Sequence, residues 1–280
     1  MVLKRRVREL IESLTNTHIF RTLPHGVDLF CDIKRRLPQY RAEVIFDVGA
    51  NVGQSAEEFL RWFPESRMYC FEPVGSNFAR LQDRLRGYTN VHCFRIALGA
   101  SKSWGQILLQ GDPCMYSLKH IPEELPISRD AQIENVEIQT LAGFCRNRGI
   151  EKIALLKIDT EGYDLEVLRG AGEILDKGCV DVVEVEAGMH PRNSRHIPIE
   201  ELKRYLESRG YFLFGIYEQV HEWITGEPHL RRSIPVFVSE HMREMNSDVA
   251  GLMPTIAAPN KRISRARLAS PGLRRTLRQT

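Results

Sequence analysis

Apolar residues in this chain gather in short runs, and amphipathic stretches separate the runs. That alternation predicts an α/β fold. Strands are expected near 43–48, 67–72, 90–97, 153–159, 180–186, 211–217 and 234–239, each rich in β-branched or aromatic residues. Helices are expected near 53–63, 75–86, 140–148, 162–175 and 198–209. In the first of these, Ala56, Phe59, Leu60 and Phe63 recur at helical spacing while Glu57, Glu58 and Arg61 face elsewhere. In the fourth, Leu165, Val167, Leu168, Ile174 and Leu175 are apolar, and Gly170 and Gly172 loosen the helix. Two helical patterns precede the first strand: Val7, Leu10, Ile11 and Leu14, then Leu29, Phe30, Ile33 and Leu37 before Pro38. They read as helices packed on the domain, with a cap on the pocket or a partner-facing lid as the alternatives. The insertion between 100 and 139 carries short apolar runs and is expected to add a hairpin at the sheet edge. The chain thus divides into an N-terminal helical segment (1–42), one α/β domain (43–240) and a tail expected to be poorly ordered (241–280).

Four of the strands end in charged, glycine-bearing turns. The first runs from Val44 into Asp47-Val48-Gly49-Ala50-Asn51-Val52-Gly53. Glycines suit a turn whose backbone takes positive φ or approaches a ligand closely. The spacing is not the dinucleotide fingerprint, which would need glycines where Asn51 and Gln54 stand, so an NAD-dependent oxidoreductase is a weak reading. Asp-x-Gly-x-Asn-x-Gly instead resembles the first motif of S-adenosylmethionine (SAM) methyltransferases. The second strand ends at Phe71-Glu72-Pro73, with Glu72 19 residues after Gly53. Rossmann-like pockets place a ribose-binding carboxylate about 20 residues beyond the glycine turn. The third ends at Lys157-Ile158-Asp159-Thr160-Glu161-Gly162, and the fourth at Glu184-Val185-Glu186. Glu184 and Glu186 lie two apart and so point to one face of their strand. Carboxylates at successive strand ends collect charge at the C-terminal edge of the sheet, where open α/β sheets bind ligands.

These motifs, with Ile96-Ala97-Leu98-Gly99, resemble the FkbM family of SAM-dependent methyltransferases over roughly residues 42–190. The Lys157–Gly162 run is the most specific part. The resemblance implies a Rossmann-like class I methyltransferase fold, a seven-stranded, mostly parallel sheet with an antiparallel last strand. It implies SAM held by Asp47, Gly49, Asn51, Gly53, Glu72, Pro73, Ala97 and Leu98. It also implies O-methylation of a hydroxyl on a sugar, glycan or secondary metabolite, with the segment Asp112–Ser117 as a polar loop over the active site. A non-catalytic SAM- or nucleotide-binding module with the same fold is the rival, and the acids retained at every strand end argue against it.

Chemistry follows from the acceptor. An alkyl hydroxyl needs a nearby base or a cation to hold its developing oxyanion. Asp159, Glu161 and Glu186 are the candidate base set, with Lys157 steadying the acids. Asp159 and Glu186 are alternatively oxygen ligands of one Mg²⁺. Among the histidines, only His190, just after the fourth strand-end motif, is placed to act as base. His196, His221 and His229 read as loop residues facing solvent.

Composition narrows the class. A chain of 280 residues with 42% hydrophobic and 27% charged residues suits a globular enzyme and excludes a disordered one. Six scattered cysteines form no C-x-x-C pair, which argues against a zinc site and suits a reducing, cytoplasmic compartment. The net charge of +3 is carried by residues 261–280, which hold seven Lys and Arg and no acid, leaving −4 elsewhere. Such a run suits peripheral contact with an anionic membrane, or simple solvation. It lacks aromatics to stack on bases, so no nucleic-acid partner is expected.

Overall fold

The computed structural model describes residues 11–15, 17–20, 22–111, 116–118, 132–221 and 226–250. Its centre is a sheet of strands β1 (Val44–Val48), β2 (Arg67–Phe71), β3 (Val91–Phe94), β7 (Ile153–Ile158), β8 (Val180–Val185), β10 (Tyr211–Val220) and β11 (Arg232–Ser239). The spatial order is β10-β11-β8-β7-β1-β2-β3, and the two-residue strand β9 (Ala187–Gly188) pairs with β11. All neighbours are parallel except β11, which runs antiparallel to both β8 and β10. This is the class I methyltransferase topology, with the strand order reversing between β1 and β7. Strands β1, β7 and β8 are buried along their whole length, as parallel strands covered on both faces must be.

Alternate residues feed two cores. Phe46, Val48, Phe71, Leu156, Ile158, Val183 and Val185 pack under helices α4 (Leu141–Arg148), α5 (Asp164–Gly170), α6 (Gly172–Asp176) and α7 (Ile199–Glu207). Ile45, Met68, Leu155, Val182, Val236 and Val238 face α1 (Leu29–Arg36), α2 (Gln54–Trp62), α3 (Gly75–Leu85) and α8 (Glu240–Ala250). The expected helix 162–175 breaks at Ala171, because Gly170 lies against the backbone of Gly99, where an added Cβ would sit 2.0 Å from the carbonyl oxygen.

Three expectations are revised. The strand expected over 90–97 splits, and β4 (Ala97–Leu98) turns out of the main sheet. It joins β5 (Ser103–Leu109) and β6 (Gln132–Gln139) in a separate three-stranded sheet. The hairpin therefore does not extend the edge of the main sheet. It closes on a small core of its own, built from Val74, Ala97, Ile107, Val136 and Ile138. Second, residues 241–250 are not a loose tail. They form most of α8, which buries Met242 and Asn246, and the Asn246 side chain accepts a hydrogen bond from the Gln39 amide at 3.0 Å. The basic run 261–280 lies outside the described residues. Third, α1 does more than pack on the domain. Buried Asp32 accepts a hydrogen bond from the Tyr217 hydroxyl at 3.1 Å, and residues 27–30 form one wall of the central cleft. The earlier helical pattern is described only from Ile11 to Thr15, so Val7 and Leu10 fall outside the described residues.

Candidate active site

A cleft of about 630 Å³ opens at the C-terminal edge of the sheet, over the point where strand order reverses. Its floor is made by one face of four strands, and on that face each strand changes from apolar to charged toward the cleft. On β1, Ile45 gives way to Asp47; on β7, Leu155 gives way to Lys157 and then Asp159; on β8, Val182 gives way to Glu184 and Glu186. Antiparallel β11 does the same in reverse, from Val236 back to Arg232.

The turn after β1 is shaped by close packing. Gly49 has φ +79°, and a Cβ there would lie 1.8 Å from the carbonyl oxygen of Asp159. Only glycine lets the two strand-end turns touch. Asn51 holds φ +48° without being glycine, and its amide donates to Glu72 Oε2 at 3.0 Å. The Val74 amide donates to the other Glu72 oxygen at 2.9 Å. Burial pushes the Glu72 carboxyl up to about 7, against the pull of these two donors. Gly49, Asn51, Glu72, Pro73, Ala97 and Leu98 all line the cleft. Asp47 and Gly53 do not form its wall. Asp47 is fully buried, accepts a hydrogen bond from Ser55 Oγ at 2.7 Å and pairs with Lys157 Nζ at 3.1 Å. Gly53, at φ +91°, precedes α2 and packs toward Leu81 and Leu85.

Lys157 is the hub of the floor. Its ammonium is buried between Asp47 and Asp159, the latter at 3.4 Å. Burial works against this charge, but Asp47, Asp159 and Glu184 outweigh it and raise the lysine above its ordinary value. Asp159 is pushed up to about 7, by burial first and then, against the pull of Lys157, by the charges of Glu186, Asp164 and Glu161. Its side chain is 37% exposed to the cleft, a solvent path that opposes the shift and also gives a substrate access.

A second group of charges sits beside it. Glu161, at φ +55°, is aimed at Arg195 Nε, 2.6 Å from its Oε2. His196 Nε2 lies 3.0 Å from Glu186 Oε2 and 3.6 Å from Glu161 Oε2, and Arg232 holds the other Glu186 oxygen at 2.8 Å. Burial opposes charge on His196, yet its bonds to Glu161 and Glu186 prevail and lift it to about 9. Burial would raise Glu186, and His196 with Arg232 hold it below the usual range instead. At neutral pH this group is therefore a set of ion pairs with His196 as the imidazolium.

His190 is not part of the set. It stacks on His229 with ring centroids 4.2 Å apart and does not form the cleft wall. The histidine at the acids is His196, which no spacing rule marks. Arg195 and Arg232 were equally invisible, since a lone arginine in a loop or at a strand start carries no signature. The Mg²⁺ expectation also fails a test of donors. Among the described residues, the group of three or more donors close enough to share an ion is Glu161, Glu186 and His196, within 4.8 Å of one another, and this group does not include Asp159. One of the three is an imidazole, whereas Mg²⁺ takes oxygen ligands. Both carboxylates are already engaged by Arg195, Arg232 and His196. The set does not fit Mg²⁺.

A family model described as a methyltransferase FkbM domain matches residues 47–213. The chain belongs to the FkbM methyltransferase family. It is 28% identical over 149 residues to the 2-O-methyltransferase NoeI of Sinorhizobium fredii, covering 48% of this chain and 59% of NoeI. It is 28% identical over 156 residues to the hexuronic acid methyltransferase AglP of Haloferax volcanii, covering 54% of this chain and 59% of AglP. Methyltransferase 1 of Beauveria bassiana is 25% identical over 187 residues, covering 60% of this chain and 71% of the relative. The chain thus spans about three fifths of the length of the first two relatives.

Proposed function

We propose that this FkbM-family protein transfers the methyl group of SAM to a hydroxyl oxygen of a sugar or sugar-bearing metabolite. The observation that carries this is Asp159. It is a cleft carboxyl raised to about 7, set where the Gly49 turn and the acceptor side of the sheet meet. The cradle suits SAM. The Gly49–Asn51 turn leaves backbone close to a ligand, and Asn51 Oδ1 is a buried oxygen with no partner. Glu72 is a half-neutralised acid placed to accept the ribose hydroxyls, and Ala97, Leu98 and Ile96 give an apolar wall for the adenine. Bound SAM supplies an electrophilic methyl group on a positive sulfur, so the protein has no leaving group to create.

What remains is to position the hydroxyl in line and to take its proton. Asp159 Oδ takes that proton as the new carbon–oxygen bond forms. A carboxyl near 7 suits this task, because a base is most effective when its pKa lies near the working pH. Lys157 keeps the carboxylate turned into the cleft from 3.4 Å. Glu161 and Glu186, fixed by Arg195, His196 and Arg232, accept hydrogen bonds from neighbouring hydroxyls and orient the acceptor ring. Two relatives carry names that specify methylation, one at a 2-O position and one on a hexuronic acid. The first name supports a hydroxyl oxygen as the methylated atom, and the second supports a sugar acid as an acceptor.

The test is incubation with methyl-labelled SAM and a panel of glycans, including hexuronate-bearing ones, with label transfer read by mass spectrometry. Calorimetry on Glu72→Ala checks the cradle. Losing a charged hydrogen bond to the ribose should cost about 1.5–3 kcal/mol of SAM affinity. Unchanged affinity removes Glu72 from the cofactor site.

A further inference from the structure

The cleft contains more carboxylates than the mechanism uses. Arg195, His196 and Arg232 are committed to Glu161 and Glu186, and Lys157 to Asp47 and Asp159. That leaves Glu58 on α2, Glu184 on β8 and Glu218 on β10. All three line the cleft, and among the described residues none has a cation within ion-pair distance. Glu58 and Glu218 stand exposed at the rim. Glu184 forms the floor beside Lys157, its register partner on β7, and is 9% exposed. Its Oε2 is buried with no hydrogen-bond partner. A buried acid normally has its hydrogen bonds made, and one left open at a ligand cleft marks a missing group. Glu218 adds a second sign. It holds φ +43°, a left-handed backbone that is uncommon for a non-glycine residue, at an irregularity in the β10–β11 pairing. Such strain gathers at sites that aim a side chain at a ligand.

The missing group is positive and organic. A neutral hydroxyl would satisfy a hydrogen bond, whereas an ammonium also favours the ionised form of Glu184 beside the rim carboxylates of Glu218 and Glu58. A bare metal ion does not fit, because the donors of Glu58, Glu184 and Glu218 do not converge as those of Glu161, Glu186 and His196 do. Resting on the reading of the cleft as a SAM-dependent sugar methylation site, we propose that Glu184, with Glu218 and Glu58 at the rim, forms a subsite for a primary ammonium group. Two sources offer that chemistry: an amino sugar in the acceptor, or the amino-acid end of SAM. The position favours the acceptor. β8 and β10 lie on the far side of β7 from the Gly49 turn and Glu72. An ammonium there donates to Glu184 Oε2 from the cleft side, with Tyr217 and Ile234 flanking its carbon frame.

The test uses the full chain and the probes D-glucosamine and N-acetyl-D-glucosamine, followed by saturation-transfer NMR with and without S-adenosylhomocysteine. SAM and S-adenosylhomocysteine affinities are measured by calorimetry alongside. Glucosamine should bind the wild type at least tenfold more tightly than the N-acetyl sugar. Glu184→Gln should erase that preference while leaving both cofactor affinities within twofold, and Glu218→Gln should reduce it about threefold. If Glu184→Gln instead weakens both cofactors tenfold and leaves glucosamine unchanged, the ammonium is the cofactor's own. Equal binding of the two sugars, together with unaltered cofactor affinity in both variants, overturns the subsite. Should Glu184→Gln fail to fold, the sugar comparison on wild type and the rim variant Glu218→Gln still decide. A wild type that binds neither cofactor refutes the methyltransferase reading instead, and the sugar titration without cofactor then judges the subsite alone.

Discussion

The pH dependence of turnover separates two candidate bases that lie in one cleft. Asp159 is raised to about 7 and His196 to about 9. If Asp159 takes the proton, it must be ionised. Then kcat/KM, which reports the free enzyme, rises tenfold per pH unit up to about 7 and levels off. It should fall again above about 9, when His196 loses its charge and Glu161 and Glu186 are left facing each other across a neutral imidazole. If neutral His196 were the base, only about 1% of it would be active at pH 7, given its value of about 9. The rate would then climb about fiftyfold further to pH 9. The assay is label transfer to the acceptor found by the glycan screen, from pH 5.5 to 10, for wild type, Asp159→Asn and His196→Gln. Asp159→Asn should lose roughly 10²–10⁴ in rate, the usual worth of a positioned base. His196→Gln should keep the lower limb and lose the upper one. A wild-type rate that climbs steadily to pH 9, with that climb abolished in His196→Gln, refutes Asp159 as the base.

Three further outcomes follow from the same geometry. Gly49→Ala should lose at least about 1–2 kcal/mol from its left-handed backbone alone, before the 1.8 Å collision with Asp159, as read by urea unfolding; a loss under 0.5 kcal/mol, on the order of a neutral surface change, contradicts the packing. Lys157→Met strands the buried Asp47 carboxylate and should cost about 3–5 kcal/mol, with Asp47→Asn added to it restoring a good part; a double variant no more stable than the single one rejects the pairing. The ligand-free protein should lose stability steadily as pH rises. Glu72 and Glu184, raised to about 7 and about 8, hold protons that the unfolded chain has released above about 4.3, so their contribution fades through those values. The contribution of His196, full below about 6.5, fades as pH passes about 9. Melting curves from pH 5 to 9 check this, and a melting temperature that rises with pH contradicts it.

The sheet was legible because its strands are nearly continuous apolar runs and its turns carry glycine at fixed places. The glycine turn, Glu72 and the Asp159–Glu161 turn were legible because each closes such a run. Period-two alternation already puts Asp47, Lys157, Glu184 and Glu186 on faces of their strands. Which face is shared needs the register, and the pairing of Asp47, Lys157 and Glu184 across β1, β7 and β8 supplies it. What stayed hidden came from loops and from distant pairing. His196 and Arg195 meet Glu161 only because the chain after β9 folds back over the strand ends, and nothing in their local sequence marks that return. His190 seemed favoured by proximity in sequence, yet two residues past β9 the chain has already turned outward toward His229. The tail boundary failed for a related reason. Residues 241–250 form a helix because Met242 and Asn246, four apart, reach the α1 side of the sheet, and a short amphipathic pattern followed by a basic run masks that contact.

The partition of charge explains why so many acids can share one cleft. Each is stabilised by a different device: Asp47 by Lys157, Glu72 by two backbone amides, Glu161 and Glu186 by a histidine and two arginines. The two left most unbalanced are Asp159, whose single cation is shared with Asp47, and Glu184, which among the described residues has no cation within ion-pair distance and whose Oε2 has no hydrogen-bond partner. Both flank Lys157 on the same floor. On the proposed reading SAM brings positive charge over Asp159, which relieves that acid and favours its ionised form. Cofactor binding would therefore lower the pKa of Asp159 and ready the base before the acceptor's proton is needed. The kcat profile should accordingly show its lower limb at a more acid pH than the kcat/KM profile, and coincident limbs would mean that SAM does not sit over Asp159.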